Sequence, residues 1–208
     1  MTDFPAIRPE NSAPSCMIPP ISMSKFIIEA KGREYRRVAD VGCGRLRTTL
    51  PLLKAGFEVW TVDTPLQLAR TRKLRDRTAR RYPNLRQSLS ADDFGTRRLS
   101  LDGAACVCVL HTVPSRAERV KILRAIHQNL KLGGLVLIDV PYDLAYYHRS
   151  GGDIRRFRDG YAMGTGSVHT FFKEYDETEL TSFVASQGFV LERNTKVRRH
   201  HALLFVNT

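Results

Sequence analysis

The sequence predicts a doubly wound α/β fold on a mostly parallel sheet of seven strands that closes in an antiparallel C-terminal pair. Three observations carry this. Short apolar runs alternate with amphipathic stretches of helical period from residue 22 to about residue 140. The first run, "RVADVG", ends on an acid and opens into the glycine turn "DVGCG", residues 40–44. The run "GAACVCVLH" is continuously apolar, as strands covered on both faces are, and "LVLIDVP" reads as a further buried strand.

The elements follow in order. Residues 1–21 are rich in proline and read as an extended arm, either folded over a site or disordered. "SMSKFIIEAKG" reads as a short helix with Ser22 as its cap and Gly32 as its end. After the glycine turn, "LRTTLPLLKAG" is helical, with Pro51 in its first turn or at a kink and Gly56 as its stop. "FEVWTVD" is the second strand. "TPLQLARTRKLRDRTARRY" is a helix capped by Thr64, with Pro65 at its first position. A weak strand lies near "LRQSLSADD". "SRAERVKILRAIHQNLKLGG" is an amphipathic helix closed by its glycine pair. The stretch 141–172, rich in Tyr, Gly and Arg, has no clear period and reads as a functional cap. "DETELTSFVASQGF" is a helix with Asp176 as cap, Glu179 as its reciprocal partner and Gly188 as stop. "VLERNTKV" and "HALLFV" form the final pair.

A chain of 208 residues with 42% hydrophobic content is expected to form one domain, 1–208, carrying the arm and the cap. No run approaches the roughly 20 apolar residues that cross a bilayer. The N-terminus lacks the basic start and apolar run of a secretory signal, so a cytoplasmic location is expected, with no membrane partner. Cys16 and Cys43 stand alone, and the C-x-C pair Cys106 and Cys108 points to opposite faces of a strand. No metal site is therefore expected from the cysteines, which read as reduced thiols. The formal charge of +12 favours anionic partners, either a small acceptor or nucleic acid.

Asp63 ends the second strand 23 residues after Asp40, where a carboxylate can accept both hydroxyls of a ribose. Strand, "DVGCG", helix, strand and terminal Asp in this register are far more specific than G-x-G alone. Together with "GFEVWTVDT", "SADDF", "GAACVCVLHTVP" and "LKLGGLVLIDVP", they make the chain resemble the class I S-adenosylmethionine-dependent methyltransferases, whose sheet is Rossmann-like. "FFKEYDETELTSFVASQGF" and the closing strands resemble that family's C-terminal end. In layout the chain is most similar to the small-molecule branch, including the tellurite-resistance type.

The resemblance implies S-adenosyl-L-methionine as the methyl donor. It implies that Asp40 holds the methionine amino group, directly or through water. Gly42 and Gly44 then give close backbone approach in the loop they share with Cys43. Asp63 takes the ribose hydroxyls, with Thr64 beside the adenine. Asp92 or Asp93 meets the adenine amino group, and Cys108, Val109 and Leu110 floor the methionine end. Leu46 departs from the family, standing where a third glycine is usual, with close helix–strand packing as that glycine's role. Arg45 and Arg47 are the other departure, and Arg47 is placed to pair with the methionine carboxylate.

Methyl transfer from a sulfonium asks mainly for in-line positioning and, for some acceptors, a base. His111 follows the fourth strand at the carboxyl edge and is one candidate base. Tyr142 and Asp143 follow the fifth strand at the same edge. Tyr146, Tyr147, His148 and His169 belong to the cap and would wall an acceptor pocket. His200 and His201 read as structural or exposed.

The expected activity is methyl transfer to a small polar or anionic acceptor. RNA is the alternative, through the arginines of the third helix (Arg70, Lys73, Arg77, Arg80 and Arg81 on one side), of the cap and of residues 193–199. DNA is disfavoured, because "VLHTVP" lacks the Asp/Asn-Pro-Pro-aromatic tetrapeptide and no Pro-Cys nucleophile is present. A third reading is an inactive cofactor-binding fold that serves as an interaction protein. Oligomeric state is not legible.

Overall fold

The structure is a computed structural model and describes residues 7–12, 17–143, 153–165 and 168–208. Cys16, Tyr146, Tyr147 and His148 lie outside the described residues.

The main sheet has seven strands in the order β3-β2-β1-β4-β5-β10-β9. These are β1 (Arg37–Val41), β2 (Glu58–Asp63), β3 (Leu85–Ser90), β4 (Leu101–Val107), β5 (Leu130–Pro141), β9 (Phe189–Asn194) and β10 (His200–Asn207). The first five pair in parallel, while β10 runs antiparallel to both β5 and β9. Strand order reverses between β1 and β4, which places the ligand crevice of a doubly wound sheet at their carboxyl ends.

Helices cover both faces. On one, Met23, Phe26 and Ala30 of α1 (Ile21–Gly32) and Leu52 and Leu53 of α2 (Thr49–Lys54) pack on Val38, Val59, Ala105 and Leu137. On the other, Phe94 of α4 (Ala91–Thr96), Leu123 and Ile126 of α5 (Arg116–Asn129) and Leu180 and Val184 of α6 (Glu177–Ala185) pack on Ala39, Val62, Cys106 and Ile138. Cys106 joins the second cluster and Cys108 borders the first, so the two thiols do face opposite ways. The long basic helix α3 (Pro65–Arg81) buries only Gln67, Thr71 and Thr78.

Several local expectations change. Ser22 does not cap α1: Pro20 precedes that helix, and the buried Ser22 hydroxyl donates instead to Asp139. Gly133 and Gly134 fall inside β5, because α5 already ends at Asn129. Asp176 caps α6 by accepting from Glu179 N at 2.7 Å, but the Glu179 carboxylate turns away to Lys173 Nζ at 2.8 Å. The cap nonetheless forms strands without a clear sequence period. Its described part is a separate antiparallel sheet of β6 (Asp153–Phe157), β7 (Gly160–Thr165) and β8 (Val168–Phe172). The arm supplies a 3-10 turn, Pro9–Ser12, tied to β8 by the Ile7–His169 bridge and by Arg8 N donating to His169 O at 3.3 Å.

Candidate active site

The glycine turn is set by β1 and β2. Gly42 N and Cys43 N donate to Val62 O at 2.8 and 3.1 Å, which curls the chain back over the end of β2. Gly42 has φ +77°, and a Cβ there would lie 2.2 Å from Val109 Cγ2. Glycine is therefore required twice over, by conformation and by the approach of the loop after β4. Gly44 has φ +50° and sends its N–H to Asp63 Oδ2 at 2.7 Å.

Leu46 explains its own anomaly. Its φ is +66°, in the left-handed region, so position 46 favours glycine for its backbone conformation. The expected packing role is only part of the reason. Leucine is kept because its side chain is fully buried in the core. The helix starts late in consequence: the chain stays in turns through Thr48 and α2 begins at Thr49.

The turn, the ends of β2 and β4 and the start of α5 line a cavity of about 290 Å³. That lies at the small end of the range for small-molecule pockets, which begins near 300 Å³. Gly42, Cys43, Gly44, Arg47, Asp63, Thr64, Cys108 and Val109 line it, so eight of the twelve expected cofactor residues converge there. Arg45 lines it as well, and Ile122 and Val113 supply an apolar wall.

Asp63 is the polar centre of this wall. Gly44 N and Thr64 N, at 2.7 and 2.8 Å, each donate to one of its oxygens. Burial pushes its carboxyl above the usual range, those two amides pull it down, and Glu10 pushes it up again. Asp40 lies one layer deeper. It is buried, and accepts from Thr48 Oγ1 at 2.8 and 2.9 Å and from Thr49 Oγ1 at 2.5 Å. Burial raises its pKa to about 6 against the pull of both hydroxyls, with Asp63 raising and Arg47 lowering it further. Thr48, which lines the cavity, stands between Asp40 and the space beyond. Arg47 points inward, with Nη2 3.6 Å from Cys108 Sγ.

The remaining expected cofactor residues lie elsewhere. Asp92 and Asp93 are exposed in the first turn of α4. Asp93 forms a reciprocal cap with Ser90, its N–H at 3.0 Å from Ser90 Oγ and that hydroxyl donating to its carboxylate at 2.7 Å. Ala91 of the same segment lines the cavity instead. Leu110 is fully buried in the core.

The candidate bases also separate. His111 is buried edge-on against Phe172, and its Nδ1 has no partner among the described residues. Burial pushes its pKa down to about 3, with the nearby His200 contributing. An imidazole that weakly basic is a poor proton acceptor. Tyr142 packs at a tilt against His201, ring centres 4.6 Å apart, and Asp143 pairs with Arg199 at 3.4 Å; neither lines the cavity. His169 sits on β8 and holds the arm through its backbone.

Two features were at most partly legible in the sequence. Pro9, Glu10 and Ser12 of the arm line the cavity, and Glu10 Oε1 accepts from Thr64 Oγ1 at 2.6 Å. His200 Nδ1 lies 2.5 Å from the buried Asp139 Oδ1. An acid inside the apolar run "LVLIDVP" was a signal for the second. For the first, the sequence offered an arm folded over a site as one of two readings, but no residue within it was marked.

Residues 39–138 match the family model of the methyltransferase domain. That segment is a methyltransferase domain, and it stands in a fold and carries a loop of the class I S-adenosylmethionine-dependent type. Among relatives, the uncharacterized protein YmfD of Escherichia coli (strain K12) is 28% identical over 191 residues, covering 88% of this chain and 84% of that protein. The cypemycin N-terminal methyltransferase of a Streptomyces species is 26% identical over 193 residues, covering 89% and 74%. The structure of Burkholderia thailandensis 1,6-didemethyltoxoflavin-N1-methyltransferase, with bound 1,6-didemethyltoxoflavin and S-adenosylhomocysteine, superposes with a TM-score of 0.63. It covers 90% of this chain and 79% of that one at 20% identity, a likeness of fold.

Proposed function

We propose that this methyltransferase acts on a small polar or anionic acceptor held between the carboxyl edge of the main sheet and the cap, as a single working unit of residues 1–208. One observation carries the reading: Pro9, Glu10 and Ser12 of the arm cover one side of the cavity at the β1–β4 crevice, and the arm is itself pinned to the cap sheet. A site covered in this way suits a small acceptor better than a polymer lying across it. Among the similar proteins, the Burkholderia enzyme holds 1,6-didemethyltoxoflavin, which is in keeping with a small acceptor here.

Asp63 would hold the ribose hydroxyls: it lines the cavity, and the Gly44 and Thr64 amides, with the Cys43 thiol, fix its carboxylate there. Thr48 would meet the methionine amino group, with the Asp40 charge behind it. Arg47 would pair with the methionine carboxylate. Val109 and Cys108 would floor the sulfonium, and Val113 and Ile122 would flank the adenine.

Titration calorimetry with S-adenosylhomocysteine tests the assignment. Asp63→Ala removes the acceptor of two hydrogen bonds to a charged group, each worth about 1.5–3 kcal/mol, and should weaken binding at least about tenfold. Wild-type affinity in that variant refutes the ribose role. The other acceptor class keeps one supporting observation: Arg70, Arg72, Lys73, Arg77, Arg80 and Arg81 of α3 are all exposed.

A further inference from the structure

We propose that His200, oriented by the buried Asp139, is the general base that takes the proton from the acceptor during methyl transfer. The proposal rests on the methyltransferase reading and adds a catalytic residue to it.

Asp139 belongs to β5 and is fully buried between β4 and β10. Its carboxylate accepts from the Ser22 hydroxyl of α1 on one oxygen and faces His200 Nδ1 at 2.5 Å on the other. A buried carboxylate held in this way fixes the ring: Nδ1 carries the proton, and the Nε2 lone pair faces outward. Nε2 has no hydrogen-bond partner among the described residues, and the side chain keeps about a quarter of its surface exposed. The same carboxylate stabilises the positive ring formed when Nε2 accepts a proton.

The dyad also sits in the right place. His200 pairs with Pro141 at the carboxyl edge of β5. Cys108, which lines the cofactor cavity, donates its N–H to Asp139 O at 2.8 Å. The Cys108 sulfur, an Asp139 oxygen and a His200 ring nitrogen all lie within 4.8 Å of one another. Cys108 thus borders both the dyad and the cofactor cavity, and His200, though not part of that cavity's lining, stands one residue away from it. The charged or titratable groups facing it are Asp139 from β5, Cys108 from the end of β4 with Arg47 behind it, and His111 from the turn after β4. Burial drives the Cys108 thiol up to about 12 and the His111 imidazole down to about 3, so both are neutral near pH 7. Arg47, next to the sulfur, opposes a metal ion in this cluster.

The step balances without a further reactant. The acceptor's N, O or S lone pair attacks the methyl carbon, and the new bond to carbon forms as the sulfur–methyl bond breaks. That bond's electron pair stays on sulfur, which becomes a neutral thioether. The acceptor's proton passes to His200 Nε2, and Nδ1–H remains on Asp139. Acceptors of this enzyme therefore carry a proton on the atom that is methylated.

Two measurements test this. In 15N-histidine-labelled protein, the His200 signals should show Nδ1 protonated and Nε2 unprotonated at neutral pH. Asp139→Asn should release that tautomer; if the mutant does not fold, the wild-type tautomer alone decides. The opposite tautomer in wild type, or a chemical shift change on adding Zn2+ alone at equimolar ratio, overturns the dyad. Methyl-tritiated S-adenosylmethionine is then followed into an unblocked alanyl peptide, catechol and the small-molecule fraction of a cell extract. His200→Gln should bind S-adenosylhomocysteine within about threefold of wild type and lower kcat by about 10²–10⁴-fold with KM little changed. Transfer within about twofold of wild type overturns the proposal. If wild type labels none of the acceptors, the small-acceptor reading fails, and the tautomer experiment still decides the dyad.

Discussion

Leu46 shows how a residue that violates a pattern can be the better choice where it stands. Its left-handed backbone costs about 1–2 kcal/mol relative to glycine. A fully buried leucine contributes more, about 2–5 kcal/mol against truncation. Leu46→Gly should accordingly lower stability in a urea titration by up to about 4 kcal/mol, despite restoring the family's usual residue. An increase in stability would show that the strain outweighs the packing. Asp40 is legible in the sequence as the acid ending β1, but its state is not. Its folded pKa, raised by burial to about 6, lies above the ordinary value of 3.8. Below about pH 4 both the folded and unfolded chains hold this proton, and the group costs nothing. As pH rises to 6 the unfolded chain loses the proton first, so stability falls and then stays lower by about 3 kcal/mol. Asp40→Asn should flatten that part of the difference curve between pH 4 and 6; parallel curves for the two proteins would refute the shift.

At the scale of elements, hydrophobic period and turn chemistry placed the seven main strands and the capped helices. Thr64 and Pro65 open α3 as expected, with Thr64 Oγ1 accepting from Gln67 N at 3.3 Å. Where the reading slipped, a side chain had a better partner far away. Ser22 left its helix end for Asp139, 117 residues on, and Glu179 left its capping box for Lys173. The three cap strands were illegible because they carry Arg, Gly and Tyr in place of alternating apolar residues, and a small sheet half open to solvent needs little apolar burial. The arm is the element with the clearest functional consequence. Removing residues 1–12 deletes Glu10 and the arm's cover on one side of the cavity while leaving both core clusters intact. The melting temperature should change little, and S-adenosylhomocysteine should bind about 5- to 30-fold more weakly, a loss of about 1–2 kcal/mol. Unchanged affinity would mean that the arm does not touch the bound cofactor.

At the scale of the whole molecule, the +12 charge is the feature that one small acceptor does not account for. The exposed arginine face of α3 is its most concentrated expression. A single-stranded RNA held there by five or six phosphate contacts would dissociate with a slope of about −0.7 per contact in log K against log salt. Filter binding at 20 and 200 mM salt reads this directly, and absence of retention at 20 mM removes RNA as an acceptor. No helix among the described residues is long and apolar enough to cross a membrane. The sequence alone determined the order of strands and helices, the glycine turn and the two acids at the ends of β1 and β2. Those follow from periodicity, backbone conformation and charge, which act within a few residues. Only the tertiary structure decided that Glu10 reaches Thr64, that Asp93 caps a helix and leaves the cavity wall to Ala91, that burial silences His111, and that Asp139 meets His200 across 61 residues. Each of these depends on desolvation or on contact between distant segments, and both arise only once the sheet has closed.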